Sequence, residues 1–143
     1  MSYQKNPHGE YKVKVKGRLL IAKTIGAWNV QTVEEFCDAL IVESNQFHGE
    51  CWGLVVDMRE WELGVPEVFD KADKTLPVLH DHNLFCQALL FNSSVQKGLM
   101  SNHRSRSQGD NDRFNFFTDL SSAIDWCNAH LDALAEDQSR GNN

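Results

Sequence analysis

Hydrophobic and polar positions along the chain change period several times, and each change marks an element. Tyr11, Val13 and Val15 alternate with Lys12, Lys14 and Lys16, the period of a half-buried strand. A lysine row on one face suits a sheet edge, because it discourages pairing with another chain. Gly17-Arg18 can turn the chain, and Leu19 to Ile25 reads as the second arm of a hairpin. After the break at Gly26-Ala27-Trp28-Asn29, Thr32 and Glu35 have the spacing of a capping box. Val33, Phe36, Cys37, Leu40 and Ile41 then mark one helix face, and Gly49 supplies the stop.

Cys51 to Met58 is a near-continuous apolar run, expected as a central strand buried on both faces and followed by a loop from Arg59 to Val65. Pro66 suits a first helical residue. Val68, Phe69, Ala72, Leu76 and Leu79 form a second helical stripe, with Pro77 expected to kink or restart it. Leu84 to Phe91 is another buried strand, ended by Asn92-Ser93-Ser94. Val95 to Met100 can form a short helix, and Ser101 to Asp112 reads as a polar loop. Phe114 to Phe117 is a short strand. Asp119 or Thr118 caps a last helix with Leu120, Ala123, Ile124, Cys127, Leu131 and Leu134 inside. The order ββαβαβ(α)βα calls for a single α/β domain with a mixed, mainly parallel sheet and helical crossovers. The expected organisation is a flexible leader over 1–9, the domain over 10–136 and a tail over 137–143.

Composition narrows the picture. A chain of 143 residues, 41% apolar and 24% charged, can bury a core of its own. Its formal net charge of −6 argues against general nucleic-acid binding. No apolar run reaches the roughly eighteen residues of a membrane span, and Met1 to Glu10 is polar, so a cytoplasmic protein is expected. Cys37, Cys51, Cys86 and Cys127 form no C-x-x-C pair and each sits in an apolar run, which suits reduced, buried thiols.

The layout, together with three local patterns, resembles the SpoIIAA-like or STAS-like family. The patterns are a strand pair followed by a helix opened at Thr32, the aspartate-ended strand Leu54-Val55-Val56-Asp57-Met58, and the ending Phe116-Phe117-Thr118-Asp119-Leu120-Ser121-Ser122-Ala123-Ile124-Asp125-Trp126 with its A-x-x-W helix. The resemblance covers roughly residues 10–134. It implies the fold and a partner-binding habit, since the best-known members are anti-sigma factor antagonists switched by phosphorylation of a serine after the aspartate-ended strand. Here no serine, threonine or tyrosine stands between Met58 and Lys74, so that switch has no hydroxyl to act on.

Candidate sites follow from the rule that open α/β sheets bind ligands beyond the carboxyl ends of their parallel strands. Asp57, Arg59, Asn92 and Ser93 fall there, the first three as a polar pocket. Trp61 and Trp28 fall in expected loops, where exposed aromatics can anchor a partner or else cover the core. Ser105 with Arg104 and Arg106, in the basic stretch Ser101 to Arg106, can hold an anion. His80-Asp81-His82 lacks a third metal ligand nearby, so neither metal nor cofactor is implied. No G-x-S-x-G elbow, P-loop or G-x-G-x-x-G occurs, and no catalytic residue is assigned.

The leading reading is a non-catalytic regulatory or interaction module with an unidentified protein partner, or itself as a homo-oligomer. The alternative is a carrier or sensor of a small apolar ligand or lipid, its pocket lined by residues such as Phe69, Leu76 and Leu79, with the Pro77 kink and the Ser101–Asp112 loop as the moving lid. The third is an enzyme centred on Asp57, Arg59 and His80.

Overall fold

The computed structural model describes residues 9–62, 67–92 and 113–141. Strands β1 (Glu10–Lys16) and β2 (Leu19–Ala27) form the expected hairpin, turning at Gly17 with a φ of 61°. Helix α1 (Val30–Ser44) runs on through a 3-10 turn, Asn45–Phe47, and stops at His48 and Gly49, both with positive φ. Strand β3 (Trp52–Glu62), helix α2 (Glu67–Asp81), strand β4 (Leu84–Leu90), strand β5 (Phe114–Phe117) and helix α3 (Leu120–Gly141) follow. Pro77 lies inside an uninterrupted α2. Helix α3 continues past Glu136, where the expected tail begins.

The five strands pair in chain order, β1 antiparallel to β2 and every later neighbour parallel. Successive strand side chains point to opposite faces, so each strand feeds two cores. Leu20, Ala22, Leu54 and Val56 face one way, under Val33, Phe36 and Leu40 of α1 and Val68 and Leu79 of α2. Leu19, Ile21, Val55, Cys86 and Ala88 face the other, against Ala123, Cys127 and Leu131 of α3. Among the described residues no helix is long and apolar enough to cross a membrane.

Two local expectations need correction. The cap of α1 is Asn29, not Thr32: its side-chain oxygen accepts from the Thr32 backbone N–H at 2.9 Å, so the helix starts one turn earlier. Thr32 is buried at the third helical position and gives its own hydroxyl to Asn29 as well. Asp57 does not end β3. The strand continues because β2 is long enough to pair with it, Ile25 opposite Glu60 and Ala27 opposite Glu62. Between Lys23–Asp57 and Ile25–Glu60 the register shifts, and β3 carries one more residue than β2. Such a bulge re-aims the side chains beyond it. Trp61 therefore shares a face with Val56 and Met58, under α2.

Candidate functional site: an apolar cavity under α1 and α2

Three of the residues placed by the sequence at the strand ends do come together. The Arg59 side chain donates to both carboxylate oxygens of Asp57, at 2.9 and 2.8 Å, and the Arg59 backbone N–H adds a third bond at 3.1 Å. Asn92 donates from Nδ2 to the Arg59 carbonyl at 3.2 Å. The Arg59 guanidinium holds the Asp57 carboxyl below its ordinary range, against the opposing effect of burial. Both carboxylate oxygens of Asp57 are thus engaged by Arg59. Ser93, Arg104, Ser105 and Arg106, and the proposed lid over Ser101–Asp112, lie outside the described residues.

Of the two readings of the tryptophans, exposed anchors or a cover for the core, the structure has the second. Trp28 and Trp61 are 4% and 3% exposed. Trp28 folds inward because its indole N–H finds the carbonyls of Glu10 and Ile25, each at 3.2 Å, which pins the hairpin to the start of α1. It packs edge-on against Phe36 at 5.0 Å between ring centroids. Trp61 is turned inward by the bulge and meets Phe69 edge-on at 6.3 Å.

Both indoles line a cavity of about 160 Å³ between the sheet and helices α1 and α2. Val33, Phe36, Cys37 and Leu40 of α1 form its roof with Val68, Phe69, Leu76 and Leu79 of α2. Leu54, Val56 and Met58 of β3, Leu89 of β4 and Phe114 of β5 form its floor. Among the described residues the lining is almost wholly apolar, and its few polar members are Thr24, Cys37, Asp73, Thr75 and Gln87. Thr24 gives its hydroxyl to the Asp57 carbonyl at 3.3 Å, and Thr75 gives its own to the Lys71 carbonyl at 2.9 Å. Burial pushes the Cys37 thiol up, keeping it protonated and apolar in character. Phe69, Ala72, Asp73 and Leu76 of α2 and Phe114 of β5 are less buried than the rest of the described lining, so the cavity is more open on these sides.

The pattern had pointed to part of this wall, Phe69, Leu76 and Leu79, through the helical stripe. It missed Gln87, the lone amide in the apolar run Leu84 to Phe91. It also missed the contact of Ser44 Oγ with His82 Nδ1, 3.0 Å apart, which ties the end of α1 to the turn before β4. His80 Nδ1 meets the Leu84 carbonyl at 3.2 Å, so the two histidines of His80-Asp81-His82 have separate structural partners. Cys51 is half-buried and the other three cysteines are buried, all as free thiols.

No family model matches the sequence, and no curated protein matches it. Solved structures do. An uncharacterised protein of the DUF3478 family from Shewanella loihica PV-4, described as having a SpoIIAA-like fold, superposes with a TM-score of 0.61 at 18% identity, over 88% of this chain and 99% of that one. An anti-sigma factor antagonist from Mycobacterium paratuberculosis superposes with a TM-score of 0.58 at 12% identity, over 87% of this chain and 99% of that one. The hairpin, the parallel strands, the paired helices on one face and the closing helix on the other are thus those of a SpoIIAA-like fold.

Proposed function

We propose that this chain is a non-catalytic regulatory binding module whose ligand is a small apolar molecule held between α1, α2 and the sheet. The observation that carries this reading is the cavity of about 160 Å³ with apolar walls. Native cores are packed to the density of organic crystals, and a void of this size forfeits the contacts its lining would otherwise make. An engineered apolar cavity of about 150 Å³ stays dry and takes up benzene, which sets the scale of the occupant. A binding role fits better than catalysis because the titratable groups that converge, Asp57 and Arg59, are locked on one another rather than directed at an open cleft.

The test is the melting temperature with and without saturating benzene. A molecule that binds only the folded state must raise it. Val68→Phe, which places a ring in the cavity, should abolish the rise while leaving the fold intact. Equal melting temperatures with and without benzene in the wild-type protein would sink the reading.

A second reading keeps a protein partner as the primary ligand, docking at the β3–β4 end around Glu60 and Asn92. Its support is the likeness of fold to an anti-sigma factor antagonist. Pull-downs with wild type and with a Glu60→Ala, Asn92→Ala double variant test it. An unchanged set of partners removes this surface as the docking site. Sedimentation at rising concentration tests the self-association form of the same reading.

A further inference from the structure

A purely apolar occupant leaves one group in the cavity unmatched. Gln87 on β4 is 8% exposed and lines the cavity between its register partners, Leu54 on β3 and Phe114 on β5. Its backbone N–H is used, donating to the Arg113 carbonyl at 2.9 Å. Its side-chain amide has no hydrogen-bond partner among the described residues. An amide carries two donors and a carbonyl acceptor, and leaving these buried and bare costs more than a made bond returns. Native proteins rarely tolerate such a group without a partner. A lone water is a poorer substitute than a ligand hydroxyl on an apolar body, because it needs two to four polar partners and the described lining is mostly apolar.

The charge of the surroundings restricts the missing partner. No lysine, arginine or histidine is among the described residues that line the cavity. An anionic head group would gain no counter-ion from these residues. We infer that the cavity holds a neutral molecule of about one ring in size, carrying a single hydroxyl or carbonyl that hydrogen-bonds to the Gln87 side chain. This rests on the cavity reading given above and specifies its ligand: an apolar body with one neutral polar group.

The probes are p-cresol and toluene, which differ by one hydroxyl. Their dissociation constants are measured from backbone amide shifts of β4 in wild type and in Gln87→Met, a change that keeps length and apolar bulk but removes the amide. The expected result is that Gln87→Met weakens p-cresol by about tenfold and leaves toluene unchanged or tighter. In the wild-type protein, the Gln87 side-chain NH₂ signals should move with p-cresol and not with toluene. This second readout decides the matter if the variant does not fold. Binding of both probes with an unchanged affinity ratio in Gln87→Met, or equal movement of the NH₂ signals with both, overturns the assignment to Gln87 and leaves the apolar-ligand reading standing. Binding of neither probe overturns both.

Discussion

Asp57 and Arg59, two residues apart on β3, face each other in a two-pronged ion pair whose carboxylate is 9% exposed and whose guanidinium is 33% exposed. The pair is bidentate, the geometry in which an arginine–carboxylate contact is strongest.

Because the pair lowers the folded-state pKa of Asp57, its contribution to stability is present above the unfolded value of about 3.9 and is lost as pH falls through the folded one. Urea midpoints measured from pH 7 downward should therefore fall more steeply below about pH 5 in wild type than in Asp57→Asn. Parallel profiles would show that the pair does not contribute to acid sensitivity.

The start of α1 offers a cleaner measurement. Asn29→Ala removes the acceptor of the Thr32 backbone N–H and hydroxyl. A loss of about 1 kcal/mol is expected from chemical denaturation, with Asn29→Ser recovering most of it. Thr32→Ser keeps the hydroxyl and should cost less than Asn29→Ala if Asn29 is the cap.

Gly53 on β3 marks how closely α3 approaches the sheet. A Cβ there would lie 2.9 Å from Leu19 Cδ2, 3.0 Å from Cys86 Sγ and 3.4 Å from Cys127 Cβ. Gly53→Ala should cost about 1–3 kcal/mol through overpacking. Cys86→Ala, which vacates the sulfur position, should make the same substitution less costly. A double-mutant cycle with no coupling would refute the close approach.

Thiol labelling reads the two cores separately. Cys51, half-buried, should react first with a water-soluble disulfide reagent. Cys37 is buried on the inner face of α1 with its thiol pushed up by burial, and Cys127 is pushed up by its hydrogen bond with Cys86 and by burial. Both should wait for opening of the fold. Cys37 reacting as fast as Cys51 would mean that the α1–α2 seam opens freely in the native state.

The element order was legible because each period of hydrophobicity survived into the structure: alternation in β1, the stripe of α1, the continuous runs of β3 and β4. What was not legible depended on pairing. The stretch Arg59-Glu60-Trp61-Glu62 is charged enough to read as a loop, yet it stays in the sheet because β2 provides a partner as far as Ala27. With the strand extended and bulged, Trp61 moves from a supposed surface to the inside. Trp28 lies in the expected break, and which of its two readings held was decided by two carbonyls supplied by the hairpin. Gln87 left a visible signal, a single amide within an apolar strand, but only the cavity beside it gives that signal meaning.

The extra residue of β3 has a further consequence. Past the bulge, the side chain that faces the helices is decided by the shift of pairing between Lys23–Asp57 and Ile25–Glu60, which sets Trp61 opposite Gly26. Were the same residues to pair without the bulge, Trp61 would fall opposite Ala27 instead of Gly26, turn toward the opposite layer and redraw the cavity wall, with every amino acid kept. One unpaired residue thus decides whether the indole closes the cavity or leaves it.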